Sequence, residues 1–594
     1  MKFTFYIFLL SFTFGFGQSV IEGSVLQADN SPLPFATIKI LSNNSYTITN
    51  EDGKFEITVS QLSDSIEVTF IGFETKRVAV SYFQNEPNLY LKENINILDE
   101  VTVVAVKNKN YVFDLLNSLV KKYQAKQSVI HSKAYYTLTS SAGNVPIEQV
   151  EGFYNCEQSL SEGIINLKIK SGRFGQSKTF PFYSLDNTKI LSDFQFFDKS
   201  NQILPFYPGN MSIGTIKKKY NIKIDECNSC KDNEIMISFA PKKADGRFFS
   251  GTILFDRERL IIKKIDLWIS NPETKELISI NKNVNIRTDG IMLEIAFNPL
   301  DFEKIQYLNF NFYLTYESGK SKEIIESRSF VYFYDYNTSF SMPSFANPIS
   351  FNNDYDKIVA MQAMDDFWEA NFQFPKSIKE RRFTSFMEEN GYLINYDNTI
   401  SSDNIKYTNS SVISWNKNNR LQWNSIKQNL ITLNSTSNTL TNTPFKLANG
   451  GKVNLTSSEI TKNRSFNNKS EKYVFNYMLD LYKNKKGEDK YVIKTIFDRG
   501  SSFCENDRTK NKLVYLNIAF DIYEYYATLL EIQLANNITF EEAKMACKTK
   551  FDEASLIVKK MKSETKLGSD YQNLTKWNNY IKQKLNIDNF KTVN

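Results

Sequence analysis

The chain has 594 residues, with 72 Lys and Arg against 66 Asp and Glu, five Cys and a single His. A formal charge of +6 with no basic stripe gives no footprint for nucleic acid. One His rules out a two-His zinc peptidase site, and any Ser-His-Asp or Cys-His centre would have to use His131, which has no nucleophile motif beside it. The length predicts roughly three to four domains.

Residues 1–17 read as a secretory signal: Lys2, an apolar run from Phe3 to Phe14, then Gly15-Phe16-Gly17. That run is too short to stay in a membrane, and no later stretch has eighteen uninterrupted apolar residues. The expectation is an exported protein, periplasmic or associated with the outer membrane, with no transmembrane segment after cleavage.

From Val20 to Leu91 the sequence alternates. Phe55, Ile57 and Val59 face one way and Lys54, Glu56 and Thr58 the other; Ile66, Val68 and Phe70 repeat the pattern. Period two with β-branched and aromatic residues predicts half-buried strands, and Asn50-Glu51-Asp52-Gly53 supplies a turn. About seven short strands make a small antiparallel sandwich over 18–93. The segments Ile21-Glu22-Gly23-Ser24-Val25, Pro34-Phe35-Ala36-Thr37-Ile38, Thr49 to Phe55 and Phe70-Ile71-Gly72-Phe73 resemble the carboxypeptidase-like regulatory domain, a transthyretin-like sandwich. The resemblance implies a non-catalytic accessory module, as found on enzymes and outer-membrane receptors. Leu98 to Ala105 resembles the stretch that follows this module in TonB-dependent receptors, yet no plug pattern or barrel series comes after it. Residues 94–130 read as a linker and a helix, with Val112, Leu115, Leu116 and Leu119 at helical spacing.

A β-rich domain is expected over 131–342. Strand runs include Ala134 to Thr139, Gly163 to Ile169, Gly251 to Asp256 and Leu260 to Ile269. The last two resemble the half-barrel sheets of periplasmic lipoprotein carriers, which cup an apolar ligand; a filled core is the plainer reading. Cys227-Asn228-Ser229-Cys230 falls between two strand-like runs, so a hairpin disulfide is favoured over a redox or zinc motif. Residues 343–395 form a connector with short helices near Asp354–Phe372 and Phe383–Glu389, the second closed by Asn390-Gly391.

An α+β domain is expected over 396–594, with Arg420 to Trp423 as a strand and helix from about residue 511. Three long helices follow: Lys512 to Ala535, then one opened by the Thr539/Glu542 capping box, then Asp570 to Leu585. Asp521 and Glu524, three apart on the first, form a possible polar pair for Arg499 or a metal, or a plain hydrogen-bonded pair. The pieces Arg420-Leu421-Gln422-Trp423, Ile496-Phe497-Asp498, Ser501-Ser502-Phe503, Phe520 to Glu524, and Glu564-Thr565 with Gly568 and Trp577 resemble a bacterial family regarded as zinc-dependent peptidases. In that family an H-E-x-x-H precedes the Phe-Asp-Ile. Here Tyr515, Leu516 and Ala519 stand in its place, so the resemblance implies at most the fold of a pseudoenzyme. No P-loop or EF-hand occurs, and no cofactor, metal or catalytic residue is expected. The fold class is therefore multidomain and mainly β with an α+β C-terminus. The function expected is non-catalytic binding or assembly at the cell envelope, with an envelope protein or a glycan as partner. The alternatives are a His-independent hydrolase of the carboxylate-pair glycosidase type, and a carrier or chaperone of an apolar ligand in the middle sheet.

Overall fold

A computed structural model describes residues 19–43, 45–94, 111–125, 128–180, 187–198, 203–225, 230, 233–273, 285–318, 321–351, 353–361, 363–371, 375–396, 411–428, 471–504, 508–534 and 538–593. The signal reading and the Leu98–Ala105 stretch lie outside them. The chain divides into two compact units. The first holds the N-terminal residues up to Lys168 together with Gly175–Ser339 and Trp368–Gly391; the second holds Ile169–Phe174, Phe340–Phe367 and Tyr392–Asn594. Among the described residues no helix is long and apolar enough to cross a membrane.

The first unit opens with seven strands: β1 Ser19–Leu26, β2 Thr37–Ile40, β3 Tyr46–Ile48, β4 Lys54–Val59, β5 Ser65–Thr69, β6 Lys76–Ala79 and β7 Asn88–Tyr90. They form two sheets, β4-β1-β7 and β3-β2-β5-β6. The predicted alternation is the observed burial: Phe55, Ile57 and Val59 are inside, joined by Val25, Ile38 and Val68. One pair departs from the antiparallel expectation. β7 runs parallel to β1, because the 3-10 turn Val80–Gln84 carries the chain over before β7 joins. Gly53 has φ +71, and a Cβ there would lie 2.6 Å from the Val25 carbonyl oxygen, so this turn requires glycine.

Helix α1, Tyr111–Gln124, leads into a long antiparallel sheet. Its strands are β8 Ile130–Ala142, β9 Val145–Ser159, β10 Gly163–Ser177, β11 Tyr220–Asp225, β12 Glu234–Pro241, β13 Ser250–Asp256, β14 Ile261–Ser270, β15 Asn285–Phe297, β16 Ile305–Ser318 and β17 Ser321–Tyr334. The order is β11-β12-β13-β14-β15-β16-β17-β8-β9-β10. Register places Ile253, Ile265, Ile295, Leu308, Val331 and Tyr136 in one buried row across six strands. α1 anchors here: the Tyr123 hydroxyl accepts from the Ile262 amide at 2.7 Å, and its ring stacks on Phe197. The opposite face carries a buried aromatic seam in which Phe35, Tyr46 and Ile48 of the sandwich meet Tyr307, Phe330 and Tyr332 of the sheet.

The connector differs from its prediction. Two short helices, Asp354–Ala360 and Asp365–Ala370, replace one; the helix predicted from Phe383 runs Ile378–Asn390. Its start is the Ser377/Glu380 capping box, formed in both directions. Gly391 is extended and opens a strand, so it is not a left-handed cap.

In the second unit a four-stranded sheet, order Ser344–Phe345, Phe475–Lys483, Asp489–Asp498, Val412–Ser414, packs on a helix at Lys510–Leu534. The spacing predicts an amphipathic stripe, but Leu513 to Tyr523 are buried without interruption. The sheet covers one side, through Phe475 stacked on Tyr523 at 5.0 Å. The helix Phe540–Thr565 covers another, through Phe551 stacked on the same ring at 5.2 Å. The predicted Thr539/Glu542 box opens that second helix, and Asp570 caps the third, Tyr571–Leu585. Arg420 to Trp423 is not a strand: it is loop running into a 3-10 turn at Trp423–Ser425.

Candidate functional site

The first unit has a cleft of about 220 Å³ between the sandwich and the long sheet. The turn after β5 builds one wall. Gly72 has φ +86 and the Phe73 amide donates to the Phe70 carbonyl at 3.2 Å, so the reversal brings both rings to one rim, 5.5 Å apart. Phe35 closes the inner end, its ring stacked on Phe330 at 4.7 Å. Across the cleft stand Phe297, Phe302 and Tyr307. Thr37, Thr69, Thr75, Glu234, Lys263 and Gln306 supply the polar lining. Lys263 is paired with Glu234, with side chains 16% and 7% exposed, and its ammonium lies 5.5 Å from the centre of the Phe302 ring. Gln306 donates to the Thr37 hydroxyl at 2.9 Å. Among the described lining residues Glu234 is the one carboxylate, so a glycosidase pair does not assemble here.

The second unit gathers the polar residues that the sequence singled out, in a different way from the one expected. Asp521 is fully buried and accepts from Arg420 at 2.6 Å, Trp415 Nε1 at 2.8 Å and Asn589 Nδ2 at 2.7 Å. Its partner is therefore Arg420, not Arg499. Arg420 also donates to the Asn589 carbonyl oxygen of the side chain at 2.9 Å. Asn517, one helical turn before Asp521, accepts from the Leu421 amide and donates to the Leu421 carbonyl. The loop, the central helix and the C-terminal turn are thus tied at one point by a buried hydrogen-bond network. Glu524 stands on the same helix at the edge of the core, and burial pushes its carboxyl up to about 7. On the adjacent strand Lys494 donates to the Met361 carbonyl at 2.5 Å, beyond the end of the helix Asp354–Ala360; burial pulls its ammonium down to about 8.

Tyr515, Leu516 and Ala519 lie in the core, 3%, 0% and 1% exposed. Burial raises the Tyr515 phenol, within reach of the Glu471 charge. Glu471 is engaged by Lys512 at 2.5 Å and by the Tyr473 hydroxyl at 3.0 Å. Among the described residues no group of three or more His, Cys, Asp and Glu side chains is placed to hold a metal ion. Cys230 is disulfide-bonded, Cys227 lies outside the described residues, and Cys156, Cys504 and Cys547 are buried free thiols. His131 is exposed within β8, not in a helix-to-strand connection. Sequence reasoning missed Trp415 and Asn589, which carry no motif, and a second buried pair, Lys170 with Asp480, 1% and 2% exposed.

Residues 21–103 match the CarboxypepD_reg-like domain family. Over 87 residues the chain is 32% identical to the TonB-dependent receptor SusC of Bacteroides thetaiotaomicron, covering 15% of this chain and 8% of that receptor's length. Similar solved structures include the crystal structure of MucB, at 7% identity over 37% of this chain and 92% of that one, with a TM-score of 0.14. The Pseudomonas aeruginosa MucA/MucB complex matches at 7% identity over 37% and 93%, with a TM-score of 0.13. Scores that low support no inference about fold or function. The N-terminal sandwich is thus a CarboxypepD_reg-like domain, and its family is shown for that domain alone.

Proposed function

We propose that this is a non-catalytic, exported binding or assembly protein of the cell envelope. Its domains on this reading are a signal peptide at 1–17, the regulatory sandwich at 18–93, a linker and helix at 94–130, a sheet domain at 131–342, a connector at 343–395 and an α+β domain at 396–594. The observation that carries the reading is the CarboxypepD_reg-like domain, in a chain with a stretch similar to a TonB-dependent receptor. The test is affinity capture from envelope fractions using the mature chain, with N-terminal sequencing of exported protein. The reading expects a start near Gln18 and a specific envelope partner; retained Met1 in the exported fraction refutes export by this signal.

The C-terminal domain is on this reading an inactive peptidase relative. Leu516 and Ala519 offer no lone pair where a base and a ligand are needed, and a buried, protonated Tyr515 is a poor ligand. Elemental analysis should find zinc well below one equivalent in the native protein. The Cys227–Cys230 clip is part of the same proposal and is tested below.

A further inference from the structure

We infer that the cleft between the sandwich and the long sheet binds one uncharged sugar ring. The inference deepens the binding reading above and rests on it only for the idea that the protein binds a ligand at all. Size comes first. A cavity of about 150 Å³ holds one benzene ring, so about 220 Å³ has room for a single substituted six-membered ring and little more. The walls then select its faces. Phe35, Phe70, Phe73 and Phe302 are half-buried, leaving ring surface open to the cleft. Such surfaces stack on the C–H face of a ring and bury it from water.

Charge selects further. Lys263 and Glu234 neutralise each other, so the lining has no net charge to hold an anion or a cation. A hydrocarbon tail is also disfavoured, because it would strip water from the part-exposed Lys263 and the exposed Thr75 and return no hydrogen bond. A sugar ring satisfies both requirements: its hydroxyls donate to Glu234 and accept from Lys263, while its carbon face lies on the phenyl rings. The turn Phe70–Phe73 and the strap bearing Phe302 come from the two sides, so the ligand sits only where sandwich and sheet are together.

The test is isothermal titration of the full mature chain with methyl β-glucoside, methyl β-galactoside, methyl α-mannoside and N-acetylglucosamine, and separately with cyclohexanol and gluconate. At least one of the four sugars should saturate with a Kd on the order of 1 mM, the scale for about a dozen heavy atoms. Phe302→Ala should weaken it tenfold or more. Thr75→Trp, a change at an exposed rim position that fills the cleft without touching the core, should abolish it, while Trp268→Ala, at an exposed position outside the cleft lining, should leave it unchanged. Silence from all four sugars overturns the inference. So does binding of cyclohexanol or gluconate alone, or sugar binding that survives Thr75→Trp. Sugar binding without any envelope partner refutes the envelope reading and leaves this one standing; a captured partner with four silent titrations does the reverse.

Discussion

Asp521→Ala is the most demanding test of the C-terminal domain. The carboxylate is 0% exposed and Arg420 is 2% exposed, and their oxygen–nitrogen distance is 2.6 Å. Removing the carboxylate leaves the guanidinium in the core with the Asn517 carbonyl at 3.2 Å and the Asn589 side-chain oxygen, neither of them charged. Breaking a buried pair in this way costs about 3–5 kcal/mol. Trp415 Nε1 and Asn589 Nδ2 also lose their acceptor, but losses within one network do not add. Since about 1.4 kcal/mol is tenfold, opening of the helix Lys510–Leu534 should become some two to three and a half orders of magnitude more frequent. Native-state hydrogen exchange read on peptides of that helix measures it without assuming that two units unfold together. Arg420→Met with Asp521→Leu should cost far less than Asp521→Ala, because no charge is then stranded. A single variant within 1 kcal/mol of wild type, or a double variant as damaging as the summed singles, would refute the network as drawn.

The second unit should also respond to pH through two groups. Glu524 has a folded pKa of about 7, above its ordinary 4.5, so the folded state holds the extra proton. Its contribution is complete below about pH 4.5 and is lost as pH rises through 7; Glu524→Gln should flatten that fall in urea midpoints. Lys494 has a folded pKa of about 8, below its ordinary 10.5, so stability should rise between pH 8 and 10.5, and Lys494→Met should remove the rise. Gly53→Ala should destabilise the sandwich by about 1 kcal/mol or more, read as faster exchange in β1 and β4, since a left-handed alanine would press on the Val25 carbonyl. Unchanged exchange would mean that the turn relaxes at no cost. Mass spectrometry without reduction should find Cys227 linked to Cys230. Thiol titration should count no reactive cysteine in the native protein and three after unfolding, because burial pushes Cys547 up to about 12 and Cys156 higher still.

The sandwich was readable because its signals are local. Alternation over six residues sets which face of β4 is buried, and one Asx-rich turn with glycine sets its entry. The same holds for the Thr539/Glu542 box. The Ser377/Glu380 box is equally local, yet the polar run Lys379 to Arg382 hides the periodicity behind it, so apolar spacing alone starts that helix five residues late. What could not be read is pairing at a distance. Arg420 and Asp521 are 101 positions apart, and Lys170 and Asp480 are 310 apart. Nothing in the neighbourhood of either charge announces burial, since most charged residues in such polar stretches stay in water. The cleft has the same character: Phe70 reads as one residue of an alternating sandwich strand, and only the approach of Phe302 turns it and Phe73 into a wall.

Phe35 shows how a local rule and a distant contact are reconciled. Its φ is +64, a region where a bulky side chain costs on the order of 1–3 kcal/mol. Sequence rules place glycine there, and they read Pro34-Phe35-Ala36 as an ordinary strand start. The strain persists because Thr49 holds the backbone at two successive amides. The Phe35 amide donates to the Thr49 carbonyl at 3.0 Å, and the Ala36 amide donates to the Thr49 hydroxyl at 2.8 Å. That twist is what aims the ring out of its own sandwich. It stacks on Phe330 and tilts against Tyr307 at 5.0 Å, and two aromatic pairs of about 0.5–1.5 kcal/mol each, beyond their burial, offset a penalty of this size. The compensation exists only when the sandwich sits on the sheet, so the strained residue makes the sandwich a weaker module alone and a better-fitting one in place. The strained residue thus seats the sandwich on the sheet and lines the cleft with the same ring.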